Sequence, residues 1–171
     1  MAAGHLFVLG GARSGKTAFA EQTALATGKA PVYLATGGAG DAEMAARIEA
    51  HRAARGPAWR TVEEPLNLAA AISRESRAET VILVDCLTLW LSNLMADDAD
   101  PLAAGAGLVE ALAAAPGPVI LVSNEVGQGI VPANPLARRF RDAAGRLHQT
   151  VAAAVPRAEF IVAGLPINLK G

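Results

Sequence analysis

Eight residues near the N-terminus constrain this chain more than any other stretch. The apolar run Leu6–Leu9 leads directly into Gly10-Gly11-Ala12-Arg13-Ser14-Gly15-Lys16-Thr17, which matches G-x-x-x-x-G-K-[ST] at every fixed position. The pattern works only between a strand and a helix. A strand must deliver the chain, and glycines must let the backbone curl so that successive N–H groups point inward. A helix starting near Gly15 then adds the positive end of its dipole. The ligand of such a loop is a polyphosphate. Lys16 reaches the β- and γ-phosphates, and the Thr17 hydroxyl ligates Mg²⁺.

The rest of the chain supplies the matching architecture. Short apolar runs at His5–Leu9, Val32–Thr36, Val81–Asp85, Pro118–Ser123 and Glu159–Ala163 lack polar alternation, as strands buried on both faces of a parallel sheet do. Helical patterns separate them at Gly15–Ala26, Asp41–Arg55, Pro65–Arg77, Leu87–Met95, Pro101–Ala115 and Pro135–Val155. The expected fold is therefore α/β, a mostly parallel sheet of P-loop NTPase type with helices on both faces, in one domain spanning residues 1–171. Apolar residues make up 52% of the chain but aromatics only 4%, and 39 residues are alanine. The core must be Val, Ile and Leu drawn close through small side chains.

Charge and cysteine content narrow the class. A formal net charge of −1 argues against a nucleic-acid binder, which needs a basic surface to displace counterions. No run approaches the roughly eighteen apolar residues of a membrane span. The single cysteine, Cys86, makes no internal disulfide, and the first residues lack the basic start of a leader. A cytoplasmic protein is expected.

A P-loop needs a second carboxylate for its metal, usually at the end of an apolar strand. Asp85 ends Val81–Asp85, where it can hold the metal or cap the helix that begins at Leu87; beside a full P-loop the metal role is favoured. No guanine-reading N-K-x-D is present, which argues against a GTPase switch. Arg138, Arg139, Arg141 and Arg146 surround the polar side of Pro135–Val155, as a kinase lid or as a solvated basic face. In Asp41–Arg55, the residues Arg47, His51 and Arg55 share one ridge at i, i+4 and i+8. Arginines one turn to each side of a histidine suit a triphosphate better than a core. Such a histidine can attack phosphorus directly while the arginines stabilise the charge that develops.

Several segments beyond the P-loop occur together and in order: Tyr33-Leu34-Ala35-Thr36, Arg47-Ile48-Glu49-Ala50-His51-Arg52, Trp59-Arg60-Thr61-Val62-Glu63 and Val84-Asp85-Cys86-Leu87-Thr88. They are followed by Ser123-Asn124-Glu125-Val126-Gly127-Gln128-Gly129-Ile130-Val131-Pro132 and by Arg138–Arg146. Together they closely resemble the bifunctional adenosylcobinamide kinase/adenosylcobinamide-phosphate guanylyltransferase family of cobalamin biosynthesis. The resemblance implies two reactions: phosphorylation of adenosylcobinamide by GTP or ATP, then transfer of GMP from GTP to adenosylcobinamide phosphate through a guanylylated histidine. That histidine is His51, with Lys16 as the other catalytic residue. The implied nucleotide contacts are Gly10, Gly11, Ala12, Arg13, Ser14, Gly15, Lys16, Thr17, Thr36, Gly37, Gly38, Arg52, Ala53, Ala54, Arg55, Glu63 and Asp85, with Thr17 and Asp85 on Mg²⁺. A homotrimer is implied as well.

Some residues keep two readings. Glu125 can act as a base, support the metal, or pin the turn that follows it, and Asn124 has no role that its chemistry assigns. Trp59 and Trp90 read as packing residues, and His5 and His148 as structural ones. A kinase of another small alcohol and a non-catalytic GTP sensor remain the alternative functions.

Overall fold

The structure, a computed structural model, describes residues 4–37, 53 and 55–171. Its strands are β1 (Leu6–Gly10), β2 (Ala30–Ala35), β3 (Arg60–Glu63), β4 (Thr80–Asp85), β5 (Val119–Asn124), β6 (Arg157–Val162) and β7 (Leu165–Lys170). They form one sheet in the order β3-β2-β4-β5-β1-β6-β7. Strands β1 to β6 pair in parallel, and β7 runs antiparallel to β6. The described helices are α1 (Lys16–Ala26), α2 (Leu68–Glu75), α3 (Leu87–Ala96), α4 (Pro101–Ala114) and α5 (Pro135–Ala154). Most of the helix expected over Asp41–Arg55 lies outside the described residues, although Ala53 and Arg55 are helical.

The five apolar runs all become strands, within two residues of the expected ends. Two further strands lack such a run. β3 is an edge strand with no fully buried residue, and every residue of β7 is exposed. β3 has a single aliphatic residue, Val62, among its four. β7 alternates Leu165, Ile167 and Leu169 with Pro166, Asn168 and Lys170, a strand period without a continuous apolar run. Pro166 is tolerated because β7 is an edge. The β6–β7 turn is the two-residue Ala163-Gly164, with φ of 51° and 80°. Positive φ at both positions is what a tight hairpin matching the strand twist requires. The second discrepancy is at α2, which starts three residues later than the pattern suggests. There Glu64 Oε1 accepts from the amides of Leu66 (3.1 Å) and Asn67 (2.8 Å), holding a turn ahead of the helix. Asp100 and Asn134 cap α4 and α5 with side-chain oxygens, as the Pro residues that follow them suggest.

The sheet divides the core in two. Leu6, Val8, Tyr33, Leu83 and Val122 face α1, where they meet Ala20 and Ala24. Phe7, Leu9, Leu34, Val84 and Leu121 face the other four helices. Alanine and glycine set the spacing on that side: a Cβ on Gly105 of α4 would touch Leu147 of α5 at 3.4 Å, and one on Gly107 would touch Ala69 of α2 at 4.0 Å.

His5 anchors the foot of β1. Its Nδ1 accepts from the Val119 amide (3.0 Å), so Nε2 carries the proton and donates to the Leu112 carbonyl (2.9 Å). Burial lowers its pKa from 6.5, and the Leu112 carbonyl only partly opposes this. His148 is also lowered by burial, with Glu125 opposing. Below about pH 6.5 the unfolded chain therefore binds protons that the folded protein does not, so stability is full above that value and falls as pH drops. Urea midpoints should decline between pH 7.5 and 5.5, and His5→Gln should flatten that decline.

Candidate active site

The loop Gly10–Thr17 leaves β1 at its C-terminal end, between β5 and β6, and is held by backbone on several sides. The Glu125 amide donates to the Gly10 carbonyl (3.0 Å), and the Gly164 amide at the hairpin tip donates to the Ser14 carbonyl (2.8 Å). Two glycines are obligatory for different reasons. A Cβ on Gly10 would stand 2.8 Å from the Ile161 carbonyl and 2.5 Å from Ser14 Oγ. Gly15 has φ of 92°, and a Cβ there would meet Gly164 Cα at 3.0 Å. Arg13 is itself left-handed (φ 54°). Lys16 starts α1, is buried, and curls back so that Nζ donates to the Gly11 carbonyl at 3.1 Å. Its charge is thereby held over the mouth of the loop.

Asp85 stands opposite, at the end of β4. Its Oδ2 accepts from Thr17 Oγ1 (3.2 Å) and from the Tyr33 hydroxyl (2.8 Å). A hydroxyl and a carboxylate brought together are hard oxygen donors of the kind Mg²⁺ uses, with phosphates and waters completing its shell. The residues present therefore fit the cation. No group of three or more His, Cys, Asp or Glu side chains able to hold a metal occurs among the described residues. Burial, then the Asp85 carboxylate, pushes the Tyr33 phenol far above its ordinary pKa, so it is a fixed donor.

Arg55 lies with its guanidinium carbon 3.5 Å from the centre of the Tyr33 ring, and Trp59 meets that ring edge-on at 6.1 Å. Among the described residues two buried side-chain polar atoms have no hydrogen-bond partner, Ser14 Oγ and Arg55 Nε. Both are donors placed by the loop and by the Tyr33 stack. Buried donors left unpaired are costly, and both of these are free to donate to an acceptor brought to the site.

Other sequence-derived positions fall in different roles. Thr36 is fully buried, and its hydroxyl both donates to the Cys86 carbonyl (2.7 Å) and accepts from the Cys86 amide (2.8 Å). It ties the end of β2 to that of β4 and shapes the turn at Gly37. Glu63 is exposed at the end of β3, in register with Ala35, and Ala53 is exposed. His51, Arg47, Gly38, Arg52 and Ala54 lie outside the described residues. Glu125 accepts from the Gly127 amide and so pins its own turn. Arg138 donates to the Pro132 and Ala133 carbonyls, and Arg141 pairs with Asp142. A buried chain missed from sequence links Thr88, Ser123 and His148: Oγ1 to Oγ is 3.1 Å, and Oγ to Nε2 is 2.8 Å. It joins α3, β5 and α5 behind the strand ends. Trp90 donates to the Leu66 carbonyl (2.8 Å) and is buried, a packing role as expected.

Open α/β sheets bind their ligands beyond the carboxyl ends of the strands, and the loop, its lysine and its carboxylate all gather there. The fold and site define a P-loop nucleotide-binding protein. Two solved structures share the fold: the RadB recombinase, with a TM-score of 0.55 at 19% identity over 93% of this chain and 74% of that one, and a Pyrococcus horikoshii OT3 protein, PH0250, with 0.59 at 10% identity over 100% and 88%. The family model described as cobinamide kinase / cobinamide phosphate guanyltransferase matches residues 6–169, and the chain belongs to that family. Similar curated proteins include the bifunctional adenosylcobalamin biosynthesis protein CobP of Pseudomonas aeruginosa, 52% identical over 96% of both chains. Another is the bifunctional adenosylcobalamin biosynthesis protein CobU of Escherichia coli, 40% identical over 96% of this chain and 99% of that one.

Because the space at Gly10 is closed by backbone, Gly10→Ala must push the loop away from β6. It should cost about 1–3 kcal/mol in denaturant unfolding and weaken GTP binding at least tenfold in equilibrium titration.

Proposed function

We propose that this protein catalyses both reactions of its family from one nucleotide site. In the first, the hydroxyl of adenosylcobinamide attacks the γ-phosphorus of GTP or ATP. The bond to the β-phosphate oxygen breaks, the hydroxyl proton is released, and adenosylcobinamide phosphate and a nucleoside diphosphate leave. In the second, an imidazole nitrogen of His51 attacks the α-phosphorus of GTP and expels pyrophosphate. A phosphate oxygen of adenosylcobinamide phosphate then attacks the same phosphorus, the N–P bond breaks, and adenosylcobinamide-GDP forms with His51 regenerated.

The observation that carries this reading is that the loop bearing Lys16 and Thr17 meets Asp85, with two buried donors that have no partner among the described residues, Ser14 Oγ in the loop and Arg55 Nε on the Tyr33 stack. Lys16 and the loop amides hold the β- and γ-phosphates, and Thr17 and Asp85 hold Mg²⁺, which neutralises charge on the phosphates. Arg55, the C-terminal member of the i, i+4, i+8 spacing expected to include His51, stacks on Tyr33, whose hydroxyl donates to the Asp85 carboxylate. Gly10 to Thr17, the turn at Thr36–Gly38, Arg52–Arg55, Glu63 and Asp85 form the nucleotide contacts. The single domain works as a homo-oligomer, a trimer, in the cytoplasm. Ile130 is 97% exposed, and Val131 and Leu136 are exposed as well, apolar side chains available for contact between copies.

Incubation with α-³²P-GTP and Mg²⁺ should leave an acid-labile, alkali-stable label on the denatured protein, and His51→Ala should abolish it. Lys16→Ala should lose both activities. A wild-type protein that phosphorylates an alcohol but never labels is a simple kinase. One that binds GTP without turnover is a sensor. Either outcome rejects the bifunctional reading.

A further inference from the structure

Tyr33 is the chain's one tyrosine, and no requirement of strand packing explains its hydroxyl. Its position follows from sheet register. Tyr33 pairs with Leu83 and Ala35 with Asp85, so Tyr33 and Asp85 point to the same face, one pleat repeat apart. A phenol is long enough to cover that step, and its hydroxyl donates to Asp85 Oδ2 at 2.8 Å. The same oxygen accepts from Thr17 Oγ1 at 3.2 Å. One face of the ring carries the Arg55 guanidinium at 3.5 Å, and Trp59 closes its edge at 83°. A phenylalanine would serve the stack and the core equally well, while a leucine would serve the core alone. The buried Arg55 Nε has no hydrogen-bond partner among the described residues. The stack therefore fixes a cationic donor that is left to bind something else, beside a carboxylate suited to Mg²⁺.

We propose that Tyr33 is a positioning residue for the nucleotide: its ring sets Arg55 to receive a phosphate oxygen, and its hydroxyl sets Asp85 beside Thr17. One side chain thereby places two groups of opposite charge, the Arg55 guanidinium over its ring and the Asp85 carboxylate beside the P-loop threonine. This inference rests on the nucleotide-dependent reading above. The ring and the hydroxyl act on different partners, so their contributions separate by substitution.

The test is equilibrium binding of GTP to the full chain, measured with and without Mg²⁺ by displacement of a fluorescent analogue. Arg55→Ala should weaken metal-free binding about tenfold or more, as expected for a lost hydrogen bond to a charged group. Tyr33→Leu should weaken it by a similar factor, and the double variant should be no weaker than either single one, because the ring acts through Arg55. Tyr33→Phe should restore metal-free affinity to within about twofold of wild type, yet gain less affinity than wild type when Mg²⁺ is added. Additive effects of Tyr33→Leu and Arg55→Ala would overturn the proposal, as would wild-type affinity in Tyr33→Leu. Thermal unfolding without nucleotide identifies variants that fail to fold. If Tyr33→Leu is one, Tyr33→Phe decides: a full Mg²⁺ gain rejects the proposal. Absence of GTP binding by the wild type would instead reject the nucleotide-dependent function itself.

Discussion

A loop that receives a polyphosphate must keep its inner side free of side chains while its backbone is held still from outside. That constraint organises the whole molecule. The loop has no side-chain core of its own, so its restraint comes from backbone supplied by distant segments. The Glu125 amide at the end of β5 holds the Gly10 carbonyl, and the Gly164 amide of the β6–β7 hairpin holds the Ser14 carbonyl. Gly10 and Gly15 are glycine because the Ile161 carbonyl and Gly164 Cα stand where a Cβ would go. The antiparallel hairpin, otherwise an odd appendage to a parallel sheet, is thus part of the wall of the phosphate site.

The second organising contact is the shared oxygen of Asp85. Thr17 from α1 and Tyr33 from β2 both donate to it, so the loop, the second strand and the carboxylate at the end of β4 form one unit. Thr36 extends the unit by locking the ends of β2 and β4 through both hydrogen bonds of its hydroxyl. Behind it, Thr88, Ser123 and His148 fasten two helices to β5 with buried polar contacts. Networks of this kind are costly when half-satisfied. In this one each side chain has its partner, and the two donors left over lie beside the nucleotide loop and the Tyr33 stack.

How much of this was legible depends on what each residue buries. The five interior strands announce themselves because both faces are covered, and the octamer at Gly10–Thr17 announces its chemistry because the backbone permits few alternatives. β3 was illegible because its four residues hold one aliphatic side chain. β7 differs from the interior strands in kind: Leu165, Ile167 and Leu169 alternate with Pro166, Asn168 and Lys170 instead of forming a continuous apolar run. His148 was rightly read as structural, but its link to Ser123 joins residues 25 positions apart and leaves no trace in spacing. Tyr33 was passed over within its motif because a tyrosine on a buried strand looks like core until register places Asp85 within its reach.

By itself, the sequence determined the α/β class, the phosphate loop with Lys16 and Thr17, the carboxylate Asp85 and the family to which the chain belongs. The first three depend on residues close together in the chain, where periodicity and spacing carry the physics, and the family on a series of motifs that resemble it along most of the chain. Only the tertiary structure decided that a C-terminal hairpin buttresses an N-terminal loop, that Thr36 spends its hydroxyl on Cys86, and that Tyr33 stands between Arg55 and Asp85. Most of these contacts join segments 50 or more residues apart, as from Thr36 to Cys86 or Tyr33 to Asp85, and the stack of Arg55 on Tyr33 spans a shorter stretch of chain. They exist because parallel strands bring their C-terminal ends to one edge of the sheet, whatever the length of chain between them.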